Sequence, residues 1–151
     1  MVEIKLGGKK GGIALVSDED YEKVKNYYWN NGNRQVITNI NKKTVSLHRF
    51  IIQPKKDEIV DHINFNYFDN RRENLRICTK AENVRHQRKQ KRNKSGFKGV
   101  RYVEREEKWM ARITFNGKIK FIGYFDTAED AATAYDYMAK KLFGEYAVPN
   151  F

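Results

Sequence analysis

Residues 79–94 constrain the fold more than any other stretch of the chain. They hold Lys80, Arg85, Arg88, Lys89, Lys91, Arg92 and Lys94 against the single acid Glu82, and beyond Val84 they contain no apolar residue. A helix without an apolar stripe cannot be fixed by packing for long, so the cores must form on either side of this stretch. The flanks are close to balanced: residues 1–78 carry 14 basic and 10 acidic side chains and residues 95–151 carry 9 and 8, so the middle supplies most of the net charge of +11. A run of this kind often marks a solvated helix face; here no acids are interleaved after Glu82, which favours a polyanion as the counter-charge.

With 151 residues, 40% of them hydrophobic, the chain can bury one ordinary core or several small ones, and several small modules fit the pattern better. The single cysteine, Cys78, closes no intramolecular disulfide and builds no cysteine zinc site, which points to a reducing compartment. No stretch approaches the roughly 20 apolar residues that a membrane span needs, and Met1-Val2-Glu3 leads into lysine and glycine rather than a signal core. The expectation is an intracellular protein with no membrane partner.

Residues 1–47 read as a β-rich scaffold. Ile13 to Val16 is a strand, Ser17 or Asp18 opens a helix through Val24, and Trp29, Asn31-Gly32 and Val36 to Thr38 suggest a hairpin. Tyr27, Tyr28 and Trp29 beside a turn read as core more readily than as base-stacking groups. In residues 48–84, Leu47 to Ile52 forms a short helix stopped before Pro54. Glu58 to Ile63 and Leu75 to Cys78 are strands around the polar loop Asn64 to Asn74, and Thr79 with Glu82 caps a following helix. Residues 85–95 form a basic linker. From 96 to 151, Phe97 to Val103, Trp109 to Phe115 and Ile119 to Phe125 are strands, the last two joined by Asn116-Gly117. Thr127 and Asp130 then cap a helix with Ala128, Ala131, Ala132, Tyr135, Met138, Ala139 and Leu142 on one face, and Gly144 ends it.

Three words in the middle segment carry chemistry: Val60-Asp61-His62-Ile63-Asn64, Asn70-Arg71-Arg72-Glu73-Asn74-Leu75-Arg76, and Glu82-Asn83. Together they resemble the HNH endonuclease family in the form carried by mobile elements and viruses. The resemblance implies an α+β chain whose catalytic core is a ββα-metal fold. His62 is suited to take a proton from water, since imidazole titrates near physiological pH. Asp61 and Asn83 offer hard oxygens for one divalent ion, Mg2+ or Mn2+ rather than zinc. The resemblance makes Asn74 a residue that holds the loop and orients His62. Neighbours on a strand face opposite ways, so Asp61 and His62 share a site only if the strand ends or bends there. His48 reads as a support or phosphate contact and equally as a packing residue. His86, one turn beyond Asn83, reads as a surface histidine, with an approach to the metal or phosphate as the other reading.

The last segment resembles the AP2 DNA-binding domain through Gly96 to Arg101, Lys108 to Ile113, Ile122 to Thr127, Ala131-Ala132 with Ala134-Tyr135-Asp136, and Asn150-Phe151. The resemblance implies a three-stranded antiparallel sheet packed on one helix, its outer face entering the major groove. It puts Lys98, Arg101, Arg112, Thr114 and Phe121 against DNA, while Arg76, Arg85, Arg88, Lys89, Lys91 and Arg92 are expected on phosphates. Val103, Ile119 and Arg112 depart from residues common in plant members, so sequence preference does not carry over.

These observations converge on a metal-dependent endonuclease of double-stranded DNA, a nickase or homing-type enzyme acting as a monomer without an obligate protein partner. The rival is a DNA-binding regulator with an inactive nuclease fold. An RNA-directed reading ranks lower because the outer sheet face is expected to lack an aromatic stacking pair.

Overall fold

The computed structural model describes residues 1–86 and 94–151. The chain divides into two compact units, residues 1–80 and 81–151. Both are α+β, built from small antiparallel sheets and short helices. No helix among the described residues is long and apolar enough to cross a membrane.

In the first unit, β1 (Val2–Lys5) pairs with β2 (Ile13–Val16). Then α1 (Asp18–Val24) leads to a sheet of β3 (Asn30–Gly32), β4 (Gln35–Ile40) and β5 (Lys43–Ser46). The closing pair of the first hairpin is Gly32 with Gln35, so Asn33 and Arg34 form the turn and the Asn31-Gly32 pair expected there lies inside β3. Arg34 takes φ 59° to make that turn. The strands β1 and β5 were not legible in the sequence, being short and polar on one face. α2 (Leu47–Ile52) ends where expected, with Gln53 in the left-handed region ahead of Pro54.

One apolar core, including Val16, Val24, Trp29, Val36, Leu47, Ile51, Val60 and Leu75, joins these elements to the hairpin of β6 (Ile59–His62) and β7 (Leu75–Cys78). Trp29 is 1% exposed and donates its indole N–H to the Val24 carbonyl, whereas Tyr28 is 72% exposed. The aromatic trio is therefore split between core and surface. Cys78 is buried at the end of β7, as its strand position suggested.

The second unit begins within α3 (Lys80–Arg85), the helix that follows β6 and β7 in chain order. Its sheet runs β10 (Lys118–Phe125), β9 (Lys108–Phe115), β8 (Val100–Val103), and α4 (Ala128–Phe143) covers one face. The Thr127 side chain accepts from the Asp130 N–H at 3.1 Å, the N-cap that the sequence announced. Asn116 and Gly117 take φ 51° and 75°, as a tight primed hairpin turn requires. At the far end, Asn150 bonds the backbone N–H and carbonyl of Lys98 and its own N–H meets the Asp136 carboxylate, tying the tail to the sheet and helix.

Gly99 sits with φ +79° where an added Cβ would lie 2.1 Å from the Tyr135 ring and 2.7 Å from the Arg112 carbonyl. Strained φ and overpacking act together there, so Gly99→Ala is expected to destabilise the second unit by roughly 2 to 4 kcal/mol. Urea unfolding of both proteins measures it, and an unchanged transition would mean that Tyr135 yields freely.

Candidate active site and nucleic-acid interface

The candidate site in the first unit is built on the end of β6. Asp61 lies opposite Arg76 and His62 opposite Leu75, and pairing stops there: the Ile63 N–H reaches the Asn74 carbonyl at 2.9 Å and the Phe65 N–H turns back to the His62 carbonyl. The strand thus ends at the residue where the sequence required an end or a bend.

The loop from Asn64 to Asn74 is held by its own polar side chains. Asn66 N–H donates to Asn64 Oδ1 and Phe68 N–H to Asn66 Oδ1, two Asx turns in succession. Asp69, 2% exposed, receives a bidentate pair from Arg71 at 2.7 and 2.8 Å and a third bond from Asn64 Nδ2. Those bonds, the Arg71 pair foremost, hold the Asp69 carboxyl below its ordinary range. Asn74 spans the loop from inside: its Oδ1 accepts from the Asn64 N–H at 3.0 Å and its Nδ2 donates to the Asp69 carbonyl at 2.7 Å.

The scaffold clamps this loop from outside. Leu15 of β2 donates its N–H to the Phe68 carbonyl and accepts from the Asn70 N–H, each at 2.8 Å. Ser17 Oγ accepts from the Arg72 N–H, and the Arg72 guanidinium grips the fully buried Asp20 of α1 through two 2.8 Å bonds.

His62 is half-buried. Its Nε2 lies 3.3 Å from Oδ1 of Asn70, a residue with no exposed surface whose Nδ2 donates to the Tyr67 carbonyl at 3.1 Å. Asn74 was expected to orient this ring. Its side-chain bonds go instead to the loop backbone, because it stands on the loop's far stem, and the ring's partner is Asn70. Polarity alone does not single out Asn70 among the asparagines of this loop; its place four residues before Asn74 in the same sequence word was the available signal. His48 of α2 packs edge-on against His62, with ring centroids 5.1 Å apart and planes at 77°. Burial, then the neighbouring His62 and Arg49, push the His48 pKa down to about 4. Burial also lowers His62 from its ordinary value, opposed by the Asn70 bond and by Asp61 and Asp69.

Asp61 is 12% exposed and its Oδ2 accepts from Nε and Nη2 of Arg76 at 3.1 and 3.0 Å. Arg76, expected on phosphate, is thereby engaged with the proposed metal ligand. Asn83 stands on α3 in the second unit. Among the described residues no three His, Cys, Asp or Glu side chains gather. The Asp61 carboxylate by itself is a hard oxygen donor of the kind that suits magnesium or manganese.

In the second unit several expectations change. Arg85 lies over the rings of Phe115 and Phe143, 5.5 and 5.3 Å from their centroids, and donates to Asn116 Oδ1. His86, expected at the surface, is 6% exposed. Lys98 turns its ammonium to the Arg85 carbonyl at 3.0 Å, and burial lowers its pKa. Arg88, Lys89, Lys91 and Arg92 lie outside the described residues.

The outer sheet face carries Arg101, Arg112 and Thr114, all exposed, with Met110 buried between Arg101 and Tyr124. Phe121 pairs across the strands with Arg112 and is 57% exposed. A bulge between Phe121 and Gly123 shifts the register, so Tyr124 comes opposite Met110 instead of turning inward, and its ring stands 5.1 Å from that of Phe121. The face therefore has the aromatic pair that simple alternation denied it.

Comparison with known proteins matches residues 53–85 to the HNH endonuclease family and residues 95–145 to the AP2 domain. An uncharacterized HNH endonuclease of Acanthamoeba polyphaga mimivirus is 36% identical over 151 residues, covering 96% of this chain and 78% of that protein. Protein 3.8 of Escherichia phage T7 is 30% identical over 92 residues, 61% of this chain and 75% of that one. An AP2-like ethylene-responsive transcription factor of Oryza sativa, CRL5, is 37% identical over 98 residues, but the chain spans only 15% of its length. No solved structure matches.

His48 gives a pH signature. The unfolded chain protonates it below about 6.5, the folded chain only below about 4, so between those values the unfolded state holds the extra proton. Its contribution is complete above pH 6.5 and falls by up to about 3 kcal/mol as pH drops to 4. Urea unfolding across this window should show a shallower loss for His48→Phe than for the unsubstituted protein; equal slopes would show that His48 titrates normally.

Proposed function

Because the chain belongs to the HNH endonuclease family, we propose that it hydrolyses phosphodiester bonds of double-stranded DNA with the help of one divalent ion. The observation that carries this reading is His62 at the end of a strand, half-buried and held below its ordinary pKa, with Asp61 as its neighbour. A neutral imidazole at physiological pH takes a proton from water as that water attacks phosphorus. Asp61 and Asn83 are the proposed ligands of a magnesium or manganese ion, which when bound supplies positive charge to the departing 3′ oxygen. Asn74 keeps the loop closed around this centre through its bonds to Asn64 and Asp69. Arg76, on the strand beside Asp61, is the proposed phosphate contact next to that carboxylate.

The AP2 domain directs the nuclease to DNA, with Arg101, Arg112, Thr114 and Phe121 as the proposed reading face. The basic run through Arg88, Lys89, Lys91 and Arg92 adds sequence-independent affinity and a steep salt dependence. We take the enzyme to work as a monomer inside the cell, nicking one strand per visit, in a virus or mobile element. The Phe121–Tyr124 pair favours a second reading in which the sheet stacks unpaired bases of RNA or single strands. Competition of duplex DNA against RNA and single strands ranks the two.

In a plasmid assay with magnesium or manganese, the protein should nick supercoiled DNA, and His62→Ala should lower the rate by about 10²- to 10⁴-fold with DNA binding retained. Absence of metal-dependent nicking by the unsubstituted protein would favour the regulator reading. Separately, Arg101→Ala or Arg112→Ala should relax site preference, whereas Lys91→Ala should weaken binding to every sequence alike. Binding titrations on random and selected duplexes distinguish them.

A further inference from the structure

The near balance of charge over residues 1–78 conceals a segregation. From Lys23 to Lys56 the chain holds eight basic side chains and no acidic one, and from Ile4 to Ser17 it holds Lys5, Lys9 and Lys10, again without an acid. Four acids are gathered instead on α1, as Asp18, Glu19, Asp20 and Glu22. The two acid-free stretches meet in the fold. The Gly7 N–H donates to the Trp29 carbonyl at 2.8 Å, and the Asn31 side-chain amide donates to the Gly11 carbonyl at 2.8 Å, so the link between β1 and β2 is docked on β3 and the residue before it.

Lys9 and Lys10 are the central residues of a turn from Gly8 to Gly11, closed by the Gly11 N–H on the Gly8 carbonyl at 3.3 Å, and both are exposed. The Leu6 N–H reaches the Gly12 carbonyl at 2.9 Å and closes the base of the link. The lysines therefore stand on a hydrogen-bonded platform. Tyr28 adds a second feature. Gly7 is not in the left-handed region, yet a Cβ on it would fall 2.1 Å from Tyr28 Oη and 2.2 Å from the ring Cζ. Glycine is needed there for space, because the tyrosine ring lies across the backbone at the foot of the turn. That ring is 72% exposed, so it contributes little to the core.

Two ammonium groups on a docked turn and a phenolic hydroxyl held at its foot have the chemistry of a phosphate contact, with lysine as point charge and tyrosine as donor. The turn carries no apolar side chain to enter a bilayer, and two lysines fall short of the roughly four to eight basic residues that hold a segment on an anionic membrane. β2 runs from this turn to Leu15, whose backbone bonds hold the loop of the candidate site. Three residues of strand separate Gly12 from Leu15, about 10 Å. A duplex that meets the candidate site is within reach of the turn.

We propose that Lys9, Lys10 and Tyr28 form a DNA-backbone contact of the first unit, in which the two lysines neutralise phosphates and the Tyr28 hydroxyl donates to a phosphate oxygen. The first unit thus grips its substrate itself, by a contact separate from those proposed for the basic run and the AP2 sheet. The nature of the partner rests on the nuclease reading; the contact is read by binding, with no cleavage required.

Anisotropy titrations of the full chain in EDTA, on random and selected duplexes over a series of salt concentrations, test it. Replacing Lys9 and Lys10 together by Ala should weaken both duplexes alike, roughly tenfold at low salt, and reduce the slope of log affinity against log salt by about 1.8, close to 0.9 for each charge. The control removes the same charge elsewhere on this unit: Lys23→Ala with Lys25→Ala, two lysines paired with Asp20 and Glu22, should leave the slope unchanged. Tyr28→Phe, which keeps the ring on Gly7, should weaken binding about threefold with the slope retained. Equal slopes for the Lys9–Lys10 variant and the unsubstituted protein overturn the proposal, as do equal losses from the two lysine pairs, which would reflect net charge alone. Unaltered DNA binding together with lost association to phosphatidylserine vesicles would assign the turn to a lipid surface and overturn it too. Nicking that persists with any of these results leaves the nuclease reading in place, whereas an unsubstituted protein that binds no DNA removes both.

Discussion

The two backbone hydrogen bonds of Leu15 carry the site. They add the 68–70 loop to β2 as if it were a further strand, and Asn70, the partner of the His62 ring, stands on that loop. Asn70 is positioned by one of them directly. Asp69, at the bridge itself, collects Arg71 and Asn64 and lends its carbonyl to Asn74. A loop of this length with so many polar residues has little apolar surface to pack, so it is ordered by hydrogen bonds that must be nearly complete, since each buried group left unmade costs about 1 to 3 kcal/mol. The N-terminal strands and α1 are therefore part of the chemistry, although none of their side chains is proposed to meet the substrate.

The Arg72–Asp20 pair shows how this anchoring is made directional. Asp20 is wholly enclosed and accepts two guanidinium bonds whose planar fork permits one orientation of the chain at Arg72. Arg72 begins the short 3-10 turn that ends at Asn74, so the fork sets the angle at which Asn74 enters the loop. Burying an ion pair adds little net stability over an apolar substitute, and its value here lies in fixing geometry.

Much of this was legible in the sequence. The capped helix α4, the Asn116-Gly117 turn and the strand pair flanking the asparagine-rich loop follow from local patterns whose physical cause is local too. Asp61, His62, Asn74 and Asn83 were legible as a spaced set of residues. What was not legible depended on contacts between distant segments. Nothing in the polar segment 41–46 signals that Lys43–Ser46 is a strand until it meets β4, and Asn70 cannot be told from the other asparagines of its loop until Leu15 and His62 are brought beside it. Arg85 and Lys98 look like free cations; their engagement with Phe115, Phe143 and the end of α3 depends on groups far away in sequence or on how a short helix docks.

The bulge at Phe121–Gly123 makes the identity of the outward side chains depend on residue count as well as residue type. Beyond it, Tyr124 points out and Phe125 packs inward against the helix; removing one residue there would exchange the two, sending the tyrosine into the interior and the phenylalanine to solvent. A lineage can therefore revise this surface by a one-codon gain or loss, altering several side chains at a stroke while the strand itself persists. Length variation at this point offers evolution a coarse control over what the sheet presents, with ordinary point changes at Arg101 and Arg112 left for the fine adjustment.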